Sequence, residues 1–82
     1  MRTEEFRQLV EEKKLVIASD WGSRFVITLH IDTGRGTHIE SEIVEYQPAE
    51  FAMRSSEACS RDIEAIHARL VKTATEKLRL ST

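Results

Sequence analysis

Two stretches in the middle of the chain alternate between apolar and polar residues, the pattern of a half-buried β-strand. RFVITLHID, residues 24–32, has apolar residues at every second position from Phe25 to Ile31, and THIESEIVEY, residues 37–46, alternates too. LVIAS, residues 15–19, is a shorter apolar run rich in β-branched residues. Turn-prone residues separate the three runs. The pattern therefore predicts three antiparallel strands joined by two tight turns, a β-meander.

The alignment of the second and third strands is predicted by requiring their apolar faces to coincide, since a one-residue slip reverses every side chain. Pairing Ile31 with Ile39 satisfies this and leaves Gly34-Arg35-Gly36 as a three-residue loop. The third residue of such a loop commonly needs a left-handed backbone, which glycine provides. This alignment predicts Ile39 and Ile43 on the core side. The predicted outward residues are His38, Glu40, Glu42, Val44 and Tyr46.

The first hairpin is aligned in the same way, by pairing Ile17 with Phe25. Asp20-Trp21-Gly22 is then a second loop with glycine in third place. In this alignment Val16 lies opposite Val26. The two loops share one turn chemistry, which supports the meander.

Helical spacing appears at both ends of the chain. Thr3 is the predicted N-cap of a short first helix that extends to about Lys13 with a narrow apolar stripe. A long last helix is predicted from Ser55 or Ser56. Its apolar stripe comprises Cys59, Ile63, Ile66, Leu70, Ala74 and Leu78. Residues 49–54, after Pro48, fit either a short edge strand or a helical turn.

These elements predict a single α+β domain, residues 1–82, with the order αβββα and both helices on one face of the sheet. The last helix exceeds the footprint of a three-stranded sheet, because a helix rises about 1.5 Å per residue. We therefore expect its C-terminal turns, KTATEKLRLST, to overhang the sheet or to reach a partner.

Composition narrows the class of protein. The chain has 82 residues, 40% hydrophobic and 32% charged, and a formal net charge of −2, which favours neither nucleic acid nor an anionic membrane. The N-terminal stretch has no apolar signal region, and no apolar run approaches the roughly 20 residues of a membrane span. Cys59 is the single cysteine, so an intramolecular disulfide is impossible, which fits a reducing compartment. Together these features predict a cytoplasmic location without membrane association.

The stretch HIDTGRGTHIE, residues 30–40, carries the most chemistry. The predicted alignment places His30 opposite Glu40 and Asp32 opposite His38, on the outward face. Two histidines with carboxylates can hold zinc or ferrous iron when they converge in an enclosed site. Cross-strand polar pairs are the favoured interpretation, so the sequence predicts no metal, no cofactor and no catalytic set. A metal-dependent activity on this face is the third hypothesis.

An apolar patch is predicted at the other end of the outward face. Trp21 lies at a loop tip beside Arg24, a composition typical of a protein-interface anchor. The remaining predicted patch residues are Val16, Val26, Val44 and Tyr46. The two alignments pair Val26 with both Val16 and Val44, so the predicted patch spans all three strands. Arg35, at the other hairpin tip, is a candidate for one contact to a partner. Two alternatives stay open: Trp21 folds back over the core, or residues 49–53 cover the patch with Phe51 and Met53.

The function that these features favour is non-enzymatic: a small interaction module that binds another protein or itself, as a homodimer or as a regulator or inhibitor of a larger assembly. Nucleic-acid binding is the alternative, and it would use the basic residues Arg2, Arg7, Lys13, Lys14, Arg24 and Arg35. The order αβββα resembles that of the double-stranded-RNA-binding domain. That family binds through a Gly-Pro-x-His-type loop and a lysine cluster opening the last helix; here the loop reads DWGS and the helix opens SSEACSRD.

Overall fold

A computed structural model describes residues 1–80, and it confirms the α+β class and the helix–meander–helix order. One short helix is added between the sheet and the last helix. The elements are α1 (Thr3–Glu12), β1 (Val16–Asp20), β2 (Arg24–Asp32), β3 (Thr37–Glu45), α2 (Pro48–Met53) and α3 (Ser56–Leu80). The three strands form one antiparallel sheet in the order β1-β2-β3.

The cap of the first helix lies one residue earlier than predicted, so the helix begins at Thr3 itself. Arg2 has an extended backbone, with φ −86° and ψ 150°, and is the N-cap, so Thr3 is already helical and the predicted Thr3 cap is wrong. Glu4 and Glu5 in the first turn favour this end electrostatically. Lys14, with φ 60°, follows in a left-handed conformation that ends the helix.

Residues 49–54, for which two structures were open, form a helical turn rather than a strand. Pro48 occupies the first turn of α2, where its missing N–H costs no hydrogen bond. Phe51 is buried in the core, whereas Met53 is 89% exposed.

The last helix lies along the sheet for nearly its whole length. The Ser55 hydroxyl accepts a hydrogen bond from the Ala58 N–H at 3.1 Å, so Ser55 caps its N-terminus. The apolar stripe is buried from Cys59 to Ala74. Lys77 still reaches the carboxylate of Glu40 on β3, at 2.9 Å. The predicted overhang is therefore wrong for most of the C-terminal turns.

The core lies between the sheet and helices α1 and α3, and aromatic rings fill one end of it. Phe6 of α1 stacks on Phe25 of β2 with ring centroids 4.4 Å apart. Phe51 and Tyr46 close the cluster, since both rings meet Phe6 edge-on. The predicted inner face of β2 is confirmed, because Phe25, Ile27 and Leu29 are buried.

The alignment of β2 with β3 differs from the prediction by one residue. Ile31 pairs with His38, not with Ile39, and Leu29 pairs with Glu40. Because neighbouring side chains point to opposite faces, this slip reverses the whole third strand. Ile39 and Ile43 therefore face away from the helices and are half exposed.

Turn chemistry accounts for this alignment. The Asp32 carboxylate accepts a hydrogen bond from the Gly34 N–H at 2.9 Å, and the Thr33 N–H donates to the Gly36 carbonyl at 3.0 Å. Thr33 and Gly36 thus continue the ladder, and the loop tightens to Gly34 and Arg35. Gly34 has φ 79°, which is favourable for glycine and costly for most other residues. The predicted three-residue loop is wrong.

The first hairpin is also realigned. Val16 pairs with Thr28 and Asp20 with Phe25, while a bulge at Ala18 shifts the ladder between them. The predicted pairing of Ile17 with Phe25 is therefore wrong, since a bulge adds a residue that alternation alone does not reveal. The Trp21 N–H donates to the Arg24 carbonyl at 2.9 Å, so this loop also tightens to two residues, Gly22 and Ser23. The Asp20 carboxylate accepts a hydrogen bond from the Gly22 N–H at 3.0 Å.

Candidate protein-interaction surface

The sheet face turned away from α1 and α3, called the outer face below, carries exposed apolar side chains. Its apolar members are the exposed Val16, Ile39 and Ile43 and the partly buried Val26, with Trp21 at one end. Trp21 is 72% exposed, Ile43 55%, Ile39 51% and Val16 49%. Val26 and Ile43 are direct cross-strand neighbours, so the apolar surface crosses from β2 to β3. Exposed apolar patches of this kind mark interaction sites.

Trp21 and Arg24 lie together at one end of the outer face. The Arg24 guanidinium carbon lies 5.4 Å from the centre of the indole ring, within the range of a cation–π contact. With Ser19 and Val26 they line a small depression of about 70 Å³. The alternative in which Trp21 folds back over the core is wrong, because the side chain is mostly exposed. The pairing of Trp21 with Arg24 does occur.

The segment proposed as a cover for the patch lies elsewhere. Phe51 packs into the aromatic cluster on the helix side of the sheet, 5.6 Å from Phe25 between ring centroids. Met53 contacts solvent. The outer face is therefore left uncovered by α2, and that alternative is wrong.

Val44 and Tyr46, which were predicted as patch residues, do not lie on the outer face. The alignment of β3 turns both to the inner side, where they pack against the core. Tyr46 donates a hydrogen bond to the Asp62 carboxylate at 2.6 Å, and Arg54 binds the same carboxylate with two bonds of 2.9 Å. Burial and the Asp62 carboxylate raise the pKa of the Tyr46 hydroxyl. These residues attach β3 to α3.

The predicted apolar cluster across three strands is only partly present. Val26 lies opposite Ser19 and Ile43, not opposite Val16 and Val44. Ile39 and Ile43 take the place of Val44 and Tyr46, and the prediction missed them because it assigned the wrong face of β3. The signal that could have found them is the Asp-Thr-Gly turn, whose hydrogen bonds set the alignment.

Arg35 lies apart from the other candidate residues. It is exposed at the tip of the second hairpin, whereas Arg24 begins β2 at the opposite end. Strand β2 is 9 residues long. At a rise of about 3.3 Å per residue, roughly 30 Å separates the two arginines. Arg35 and Trp21 therefore do not form one site.

The histidines of residues 30–40 lie on opposite faces of the sheet. His30 faces outward opposite Ile39, and its Nε2 lies 3.0 Å from the Thr28 hydroxyl oxygen. His38 faces inward, with its Nε2 2.8 Å from a Glu40 carboxylate oxygen. The predicted pairs of His30 with Glu40 and Asp32 with His38 are wrong. Within residues 1–80, no three His, Cys, Asp or Glu side chains are placed to hold a metal ion.

An ionic row that the sequence analysis missed joins β3 to α3. Glu40 is almost fully buried and contacts Lys77 and His38, while Arg69 binds Glu42 through bonds of 2.9 and 2.6 Å. Hydrogen bonds from Lys77 and His38 lower the pKa of the Glu40 carboxyl. The sequence signal for these contacts is the spacing of Arg69 and Lys77, which lie two helical turns apart on one side of α3.

The lowered pKa of Glu40 predicts a pH dependence of stability. A carboxyl whose pKa is lower in the folded state stabilises the fold above its ordinary pKa of 4.5 and loses that contribution as the pH falls through the folded value. We expect the free energy of unfolding to decrease below pH 4.5. Urea denaturation between pH 7 and pH 3 measures it. In Glu40→Gln the decrease should be smaller; an unchanged slope would contradict the assignment.

The basic residues considered for nucleic acid do not share one surface. Arg7 pairs with Asp20 and Lys13 with Glu64, each at 3.2 Å. Arg24 and Arg35 lie at opposite ends of β2. The other two candidates, Arg2 and Lys14, flank opposite ends of α1. The six basic groups are dispersed rather than aligned for a phosphate backbone.

Comparison with protein-family models, with curated proteins and with solved structures finds no match for this chain. Among the described helices, none combines the length and the apolarity that crossing a membrane requires.

Proposed function

We propose that this chain is a non-enzymatic interaction module that binds a protein partner through its outer face, and that it regulates or inhibits a larger assembly in this way. The observation that carries the proposal is the set of exposed apolar side chains on the outer face, with Trp21 more exposed than Ile39 or Ile43. Burying such side chains against a partner is favourable by about 25 cal/mol per Å².

The layout of the outer face supports a protein partner. Ile43 and Val26 form an apolar centre, and Arg24 and Glu45, paired across the strands, provide a charged margin. An apolar centre with a polar rim is the usual anatomy of a protein interface, and tryptophan and arginine are enriched among the residues that dominate its energy. The partner surface that fits is therefore apolar, with a carboxylate within reach of Arg24.

A cytoplasmic location belongs to the same proposal. The lone thiol of Cys59 is buried in the core, where burial raises its pKa, and it forms no disulfide. A reducing compartment suits such a chain.

Replacing Trp21 by alanine should weaken partner binding by about 30-fold, the effect of losing a residue that dominates an interface. The free energy of unfolding should change by less than about 0.5 kcal/mol, because the side chain is mostly exposed. The partner is first captured from the native host and identified by mass spectrometry, then titrated as a purified protein against each variant by calorimetry.

Met53→Ala is the matched control, since Met53 is apolar, exposed and outside the outer face. Supporting results are a loss of affinity in Trp21→Ala and in Ile43→Ser, with Met53→Ala binding like the wild type. Equal affinity in all four proteins would show that the partner binds another surface.

A further inference from the structure

The open edge of β3 is a second surface, distinct from the outer face. The sheet order β1-β2-β3 leaves both outer strands without a neighbour on one side. In β1 a bulge at Ala18 interrupts the ladder, a common device that prevents pairing at an edge. Strand β3 pairs with β2 without interruption from Thr37 to Glu45. Its edge is long, regular and flanked by exposed isoleucines.

The backbone groups at this edge can be assigned from the ladder. The Tyr46 N–H donates to the Ser23 carbonyl at 2.8 Å, and the Thr33 N–H donates to the Gly36 carbonyl. Because hydrogen bonding alternates along an antiparallel pair, even-numbered residues of β3 bond to β2. Ile39, Ser41 and Ile43 therefore direct their N–H and C=O groups toward the open edge.

The third strand is complementary to itself when a second copy is placed antiparallel with Ser41 at the centre. Ile39 then lies opposite Ile43 of the second copy, and Thr37 lies opposite its Glu45. Each of these residues directs its backbone groups to the edge, so both strands satisfy each other's hydrogen bonds. Directly opposite apolar pairs add to the stability of such a ladder.

The charges also match in this arrangement. Arg35, at the exposed hairpin tip, lies diagonally from Glu45 of the second copy, within reach of a long side chain. On the inner side Glu40 lies opposite Glu42 of the second copy. Each of these carboxylates already binds a cation, Lys77 or Arg69, so the like charges are compensated.

We infer that two copies of this chain pair through the edges of β3, antiparallel about Ser41, to form one six-stranded sheet from two three-stranded sheets. The symmetry is a closed two-fold, in which the same strand serves as both partners. Helix α3 lies over the inner side, where Arg69 and Lys77 reach inward-facing carboxylates, and the strand order leaves the far side of β3 without a neighbouring strand. The dimer places Ile39 and Ile43 of both copies side by side on one continuous outer face.

Light scattering on the purified chain, over a series of concentrations, tests the pairing. We expect a mass of twice 9.4 kDa. Ser41→Pro removes only an N–H that points to the open edge, a position where strands accept proline, and should raise the dissociation constant about 10-fold or more. Ser41→Ala keeps the N–H and should dimerise like the wild type. A mass of 9.4 kDa at every concentration would overturn the inference.

Cross-linking provides a readout that does not depend on the proline variant folding. The two Ser41 Cα atoms lie about 5.5 Å apart in this pairing, so Ser41→Cys should be joined rapidly by a short bis-maleimide. The two Thr37 positions are roughly 27 Å apart, so Thr37→Cys is the matched negative control. Cys59 is buried and common to both variants. Equal cross-linking of the two variants would contradict the alignment.

The edge and the outer face are tested separately. If the wild-type chain is monomeric and Trp21→Ala weakens partner binding, the β3 pairing alone is overturned. If the chain is a dimer and Trp21→Ala leaves its affinity for the partner unchanged, the proposed binding face alone is overturned.

Discussion

Replacing Val44 by aspartate is expected to lower the free energy of unfolding by about 3 kcal/mol, because it places a charge against the core. Replacing its neighbour Ile43 by aspartate is expected to change stability by less than about 1 kcal/mol, since half of that side chain is already exposed. Urea denaturation followed by circular dichroism measures both. The two substitutions introduce the same group one residue apart.

The comparison distinguishes the two possible faces of β3. In the alignment expected from alternation alone, Ile43 points to the core, and Ile43→Asp would be the damaging change. A larger loss of stability in Ile43→Asp than in Val44→Asp would therefore contradict the observed alignment.

Replacing Phe6 by alanine should lower the free energy of unfolding by about 3–5 kcal/mol, the usual cost of removing a buried aromatic ring. Phe6 has no exposed surface and is in contact with Phe25, Phe51 and Tyr46. A chain of 82 residues has a small core and a small free energy of unfolding. This variant should therefore be largely unfolded at physiological temperature.

Phe6→Leu is the control for this prediction. It keeps most of the buried volume and should cost clearly less than Phe6→Ala, about 1–2 kcal/mol. Thermal unfolding of both variants measures the difference. Equal and small effects would show that the aromatic cluster is not the centre of the core.

The parts of the fold that the sequence predicts well are those in which one physical pattern dominates. Strand β2 has apolar residues at every second position from Phe25 to Ile31, so its bounds and its inner face were both predicted. The buried stripe of α3 from Cys59 to Ala74 follows helical spacing and was predicted residue by residue. In both elements the burial of apolar side chains decides the structure.

Strand β3 could not be placed by the same rule, because both of its faces carry apolar residues. Ile39 and Ile43 lie on one face, and Val44 and Tyr46 on the other. Three sets of contacts turn the face with Val44 and Tyr46 toward the core. They are the hydrogen bonds of the Asp32 turn, the bond from Tyr46 to Asp62, and the ion pairs of Arg69 and Lys77 with β3. Each of these depends on contacts between distant parts of the chain, which periodicity does not report.

The candidate site was predicted in part for the same reason. Trp21 and Arg24 adjoin each other in the loop and strand, so a local reading placed them together, as the structure does. The other half of the outer face depends on the alignment of β3, and the prediction therefore named Val44 and Tyr46 in place of Ile39 and Ile43.

The most direct measurement is the solvent exposure of the isoleucine methyl groups in the wild-type chain, by NMR with a soluble paramagnetic agent. The methyl signals of Ile39 and Ile43 should broaden strongly, while those of Ile27 and Ile63, which have no exposed surface, should persist. Protected Ile39 and Ile43 signals would contradict an uncovered apolar outer face and remove the basis for partner binding there.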